Sequence, residues 1–151
     1  MARAYESWAS SEAARRTKVA TRGRDTRPEV RVRSALHRLG YRFRVCMRPL
    51  PELRRSADIV FPRIRLAVFI DGCFWHGCPE HYNRPRTNVS YWTDKIAGNV
   101  TRDHDTNIQL RNAGWHVLRI WEHIEPADAA RAVAAAVDQQ RALANARRAG
   151  R

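Results

Sequence analysis

The chain lacks any apolar run of membrane length, and its opening Met-Ala-Arg-Ala-Tyr-Glu-Ser-Trp has none of the hydrophobic stretch that a secretory leader needs. A cytoplasmic protein is the expectation. Cysteine is scarce. Cys46, Cys73 and Cys78 make an odd number that cannot pair fully within one chain. In a reducing compartment, two close cysteines beside histidines indicate a metal more than a disulfide. Acidic residues are also few: 15 Asp and Glu stand against 28 Lys and Arg, for a formal net charge of +13. Such an excess repels itself unless a polyanion shares it. The imbalance is steepest in residues 1–55, with fifteen basic and five acidic side chains. Most of the basic residues are Arg, which grips phosphate with two donors and stacks on bases. Nucleic acid is the expected partner. A merely solvated basic face, or GC-rich coding behind the Ala and Arg, is the plainer alternative.

The 151 residues suit one domain with a real core. Residues 1–25 are polar, basic and aperiodic and read as a flexible arm; residues 26–147 read as the domain. Thr26-Arg27-Pro28-Glu29 is a helix start, with Thr26 as N-cap, Glu29 as its capping-box partner and Pro28 in the first turn. That helix runs to about Leu39, with Gly40 stopping it and Val32, Leu36 and Leu39 on one face. Tyr41–Cys46 alternates as a half-exposed strand does. Ala57–Phe61 and Leu66–Ile70 read as buried strands joined by a tight turn. Ser90 to about Asn112 is the longest helical stretch, with Trp92, Ile96, Val100 and Ile108 as expected core contacts. Trp115–Trp121 reads as a strand, and Pro126 begins an Ala-rich helix expected to fray after Leu143. The order predicts an α/β fold, a mixed sheet sandwiched by helices.

Asp71 to Tyr82 has no period and is rich in Gly, Cys, His and aromatics, so something other than its own hydrogen bonds must order it. Cys73, Cys78 and His81 offer zinc-type ligand atoms at C-x4-C-x2-H spacing. A fourth ligand must come from elsewhere, and His123, just past the Trp115–Trp121 strand, is the best placed. The plainer alternative is two small buried cysteines and a surface imidazole. His76, between the cysteines, is free to act as a general acid or base or to touch a phosphate. It reads equally as a spare surface histidine or as a zinc ligand in place of His81. Asp58 enters a buried strand, where a carboxylate is costly unless paired or bound to a cation. Magnesium is commonly held by one or two carboxylates, which makes Asp58 a candidate metal anchor; a strand-end turn residue is the commoner case. Glu29 and Asp103 are further acidic candidates. Asn99 and Asp103 lie one helical turn apart and can face one cleft, or simply pair charges on a helix surface. Phe74 and Trp75 are either core or a wedge that enters between base pairs.

Several of these pieces together resemble the very short patch repair (Vsr) mismatch endonucleases. They are Arg24-Asp25-Thr26-Arg27-Pro28-Glu29, Asp58-Ile59-Val60, Val68-Phe69-Ile70-Asp71-Gly72-Cys73-Phe74-Trp75-His76, Tyr91-Trp92-Thr93-Asp94-Lys95-Ile96, Asn99-Val100-Thr101-Arg102-Asp103, Gly114-Trp115-His116-Val117-Leu118 and Ile120-Trp121-Glu122. The likeness runs in register over about residues 15–125. It implies a restriction-endonuclease-like core in which Asp58 and the Ile70 carbonyl bind magnesium. His76 would assist attack of water on the phosphodiester, with Asp103 in the same acidic cluster and Glu29 supporting it. Zinc would take Cys73, Cys78, His81 and His123. Phe74 and Trp75 would intercalate beside the mispair, helped by an arm around Arg15, Arg16 and Lys18. The family nicks one strand 5′ to the thymine of a T·G mismatch left by deamination of 5-methylcytosine. A monomer acting at the nucleoid, with a functional link to a DNA cytosine methyltransferase, is the corresponding expectation. Three positions depart from the family's pattern: Ala57 replaces its usual Pro, Asp71 stands where some members have His, and the zinc set has two His where several members use more Cys. The rival readings are a sequence-specific restriction-type endonuclease acting on matched duplex, and a non-catalytic zinc-stabilised DNA-binding module.

Overall fold

The computed structural model describes residues 24–151, so the basic residues Arg15, Arg16 and Lys18 lie outside the described residues. Helix α1 spans Arg27–Arg38. Its N-terminus differs from a reciprocal capping box. The Thr26 hydroxyl donates to Glu29 Oε1 at 3.0 Å instead of capping a helix N–H, and Glu29 Oε2 accepts from the Asp25 N–H at 2.8 Å. The C-terminus closes as a Schellman motif: Tyr41 N–H bonds the Leu36 carbonyl, Gly40 N–H bonds that of His37, and Gly40 takes φ +88, which favours glycine.

Strands β1 (Arg44–Met47), β2 (Ala57–Phe61), β3 (Leu66–Asp71) and β4 (His116–Trp121) form one sheet in that order. β1 starts three residues later than the alternation predicts, because Tyr41 and Phe43 pack on the core ahead of the strand. β1–β2 and β2–β3 are antiparallel, with Ile59 opposite Val68, and a 3₁₀ turn at Pro62–Ile64 joins β2 to β3. β3 and β4 are parallel, with Ile70 opposite Ile120, and helix α2 (Val89–Asn112) makes the crossover that a parallel pair requires. Helix α3 spans Pro126–Ala149; it continues past Leu143, where fraying was expected.

β2 and β3 bury both faces, as the centre of a three-layer α/β/α sandwich demands, whereas the edge strand β1 stays half-exposed. On one side Ile59, Phe61, Leu66, Val68 and Ile120 meet Val32 and Leu36 of α1 and Val133 and Val137 of α3. On the other, Val60, Ala67, Phe69 and Val117 meet Leu110 of α2 and Leu53. The inward stripe of α2 departs from its apolar periodicity. Ile96, Thr106 and Leu110 are buried, whereas Val100 and Ile108 are 46% and 44% exposed. Polar Asn99 and Asp103 hold inward positions because they have partners on the neighbouring loop. No helix among the described residues is long and apolar enough to cross a membrane.

Candidate active site and metal centre

The strand periodicity delivers Asp58 and Asp71 to the α2 side of the sheet, beside one cleft of about 680 Å³. Asp58 stands on β2, and its Oδ2 accepts the Ile70 N–H of β3 at 2.6 Å. Burial pushes its pKa up to about 7; the Ile70 hydrogen bond opposes this, and the charges of Glu29 and Asp71 add to it. Among the described residues Asp58 makes no ion pair. A desolvated carboxylate at the floor of an open cleft, with no cation of its own, fits a divalent ion with oxygen preference.

His76 lines the same cleft. Its backbone N–H bonds the Gly72 carbonyl at 3.1 Å, and its Nδ1 makes a short hydrogen bond with Asp103 Oδ2. Asp71 Oδ1 lies 3.9 Å from the same nitrogen. Burial depresses the imidazole pKa, but the Asp103 hydrogen bond and the charges of Asp71 and Asp103 outweigh it, so the net shift is upward even with Arg119 opposing. The two groups drawn from opposite ends of the β2–β3 segment thus share one cleft. Glu29 lines it too, but its carboxylate is occupied by Thr26, the Asp25 N–H and Arg33 at 3.1 Å. Glu29 thus faces the cleft with both oxygens already engaged.

Cys73, Cys78, His81 and His123 gather behind the loop, with one ligand atom from each within 4.8 Å of all the others. Cys73 Sγ is 3.2 Å and Cys78 Sγ 3.7 Å from His123 Nδ1. Burial and the adjoining Cys78 push the Cys73 thiol up. Two sulfurs and two imidazoles in a tight group suit tetrahedral zinc. His76 lies apart from this set, on Asp103. Gly77 allows the loop to turn: its φ is +64, and a Cβ there would come 3.2 Å from Ile96. Phe74 and Trp75 are half-buried and touch edge to face; Phe74 also meets Tyr82 and Trp92.

The family model described as DNA mismatch endonuclease Vsr matches residues 10–83. The type II nicking enzyme V.NaeI of Lentzea aerocolonigenes is 51% identical over 79% of this chain and 71% of its own length. The chain belongs to the Vsr family. Its members are DNA endonucleases, consistent with a DNA partner. The nicking enzyme V.XorIIP of Xanthomonas oryzae pv. oryzae is 43% identical over 67% of this chain and 73% of its own. The DNA mismatch endonuclease Vsr of Escherichia coli K12 is 38% identical over 66% of this chain and 62% of its own.

The residues matched by the Vsr model carry Asp58, Ile70 and the loop through His81. Asp103, Arg119 and His123 lie beyond them and are joined to the site by geometry. Arg119 was not foreseen. Its Nη1 meets both Asp71 oxygens, at 2.8 and 3.0 Å, and its Nη2 lies 3.5 Å from Asp103. Asn107 accepts its Nε–H at 2.9 Å, and its guanidinium caps the Phe69 ring at 4.3 Å. An Arg in the apolar run of β4 is the signal, since a cation there needs a buried carboxylate. Asn99 donates to the Trp75 carbonyl at 2.9 Å, and Glu122 accepts the Cys73 N–H at 2.8 Å. Together they clamp both flanks of Phe74. Arg33 joins Asp25, Glu29 and the Asp58 carbonyl, linking α1 to the strand that carries Asp58.

Proposed function

We propose that this chain is a magnesium-dependent, strand-specific mismatch endonuclease on a restriction-endonuclease-like core, nicking 5′ to the thymine of a T·G pair. The observation that carries this reading is the shared cleft: Asp58 at its floor, and His76 at its wall with Nδ1 fixed on Asp103.

Asp58, with the backbone of Ile70, would hold magnesium, which polarises a phosphodiester and activates water. Cys73, Cys78, His81 and His123 would hold zinc, which fixes the loop. The Asp103 bond orients the imidazole and leaves Nε2 as the nitrogen that exchanges a proton with water or the leaving oxygen. Asp103 also stabilises the imidazolium formed when His76 takes that proton. Hydrolysis leaves a 5′-phosphate and a 3′-hydroxyl. Phe74 and Trp75 form the wedge beside the mispair, and Arg15, Arg16 and Lys18 provide the arm. A single asymmetric mismatch needs no two-fold partner, which favours a monomer. The product of cytosine deamination as substrate accords with work at the nucleoid beside a cytosine methyltransferase.

The nicking names of two relatives favour cleavage of one strand over cleavage of both. The test is a magnesium-dependent assay on T·G, other mismatched and fully paired duplexes. One nick 5′ to thymine in T·G duplex is expected, and Asp58→Ala should bind that duplex without nicking it. Cleavage of both strands of matched duplex would replace this reading with a restriction-type one. Binding without any cleavage would replace it with a recognition module.

A further inference from the structure

The cleft holds a cation that neither the chemistry above nor the surrounding side chains engage. Leu53 is sunk into the core on the α2 side, 8% exposed. Its N–H bonds the Leu50 carbonyl, and the Arg55 N–H bonds the Leu53 carbonyl at 2.8 Å. This tight turn anchors Arg55 just ahead of β2, so Arg55 and Asp58 line the cleft from one short segment.

Three arginines line the cleft, Arg55, Arg102 and Arg119. Arg119 is committed to Asp71, Asn107 and the Phe69 ring. Arg102 stands on the exposed side of α2 and reaches Asn99 at 3.4 Å. Arg55 differs from both. Among the described residues its Nη1 meets only the carbonyl of adjoining Arg54, at 3.3 Å, and its buried Nε has no hydrogen-bond partner. Glu29, Asp58, Asp71, Asp103 and Glu122 all line the same cleft. Among the described residues, Arg55 forms an ion pair with none of them. A desolvated guanidinium nitrogen without an acceptor is costly unless a ligand brings one. A phosphodiester brings two non-bridging oxygens at the spacing of the guanidinium fork. It also enters a cleft rich in carboxylates, where an uncommitted cation offsets the repulsion.

The geometry points to Arg55 as a phosphate-binding residue of the nicking site, gripping the non-bridging oxygens of the phosphodiester that lies beside Asp58. This rests on the DNA-nicking reading. It is tested with wild type, Arg55→Gln and Arg55→Lys on a T·G duplex, and on the same duplex with a neutral methylphosphonate at the nick position. Arg55→Gln should lower kcat/KM for nicking by roughly 10- to 100-fold, the loss typical of a charged hydrogen bond, with an unchanged melting temperature. Arg55→Lys should restore part of it. In metal-free binding, Arg55→Gln should reduce the slope of log affinity against log salt by about 0.9. The methylphosphonate should weaken wild type and leave Arg55→Gln unaffected. The proposal is overturned if Arg55→Gln nicks like wild type, or if the losses from variant and methylphosphonate multiply. If Arg55→Gln melts lower, the methylphosphonate comparison between wild type and Arg55→Lys decides. If wild type nicks no duplex, the nicking reading falls by itself, and the salt slope still decides whether Arg55 contacts phosphate.

Discussion

His76 has its Nδ1 on Asp103, and Arg119 reaches Asp103 and Asp71 from β4. The chain therefore fixes the imidazole through carboxylates that are themselves fixed. Asp103→Asn keeps the size of the group but loses the charge that stabilises an imidazolium. Nicking should fall by about 100-fold or more while affinity for the T·G duplex holds. Steady-state kinetics beside metal-free binding checks this, and an unchanged kcat would mean that Asp103 does not serve His76. Asp58 gives a second prediction at this scale. Its folded pKa, about 7, lies above the ordinary carboxylate range. The folded state thus favours the protonated form, and metal-free stability falls as pH rises from about 4 towards 7. A divalent cation that needs the ionised carboxylate should raise the melting temperature more at pH 8 than at pH 5.5. An equal rise at both would remove Asp58 from the metal site. Asp58 and His76 were legible as chemistry out of place: a carboxylate entering an apolar strand and an imidazole inside a cysteine loop. Arg119 was not, because its carboxylate partner lies 48 positions away.

At the scale of elements, short-range signals served well. Thr26, Pro28 and Gly40 bound α1, the apolar run Ala57–Phe61 matches β2, and the run Leu66–Ile70 falls one residue short of β3. Apolar periodicity failed in α2, where Val100 and Ile108 are exposed while Asn99 and Asp103 turn to the site loop. A helix that serves a polar cleft gives inward positions to hydrogen-bonding groups, and a hydrophobic stripe cannot show that. The loop from Gly72 to Asn88 has little regular structure; three backbone hydrogen bonds within it, the Glu122 and Asn99 ties and the cluster of Cys73, Cys78, His81 and His123 hold it. Where zinc completes such a loop, binding energy is folding energy. Cys73→Ser should therefore lose metal content and melting temperature together, measured by elemental analysis and thermal denaturation. A variant that loses the metal but melts like wild type would separate zinc from the stability of the loop.

For the whole molecule, charge and shape divide the work. The α/β/α sandwich holds a cleft in which five carboxylates, those of Glu29, Asp58, Asp71, Asp103 and Glu122, outnumber three arginines, while the chain as a whole carries +13. A polyanion is drawn to such a protein by the basic surface and meets carboxylates only at the point of chemistry, where a cation must intervene. Arg15, Arg16 and Lys18 should contribute affinity through phosphate contacts that carry no sequence information. Replacing all three with Ala should flatten the dependence of log affinity on log salt by up to ~2.7, at ~0.9 per phosphate contact. The flattening should be equal for T·G and matched duplexes, and the melting temperature unchanged. If the triple variant instead lost only its preference for T·G, the arm would be reading the mismatch, and the wedge of Phe74 and Trp75 would not suffice to explain where the strand is nicked.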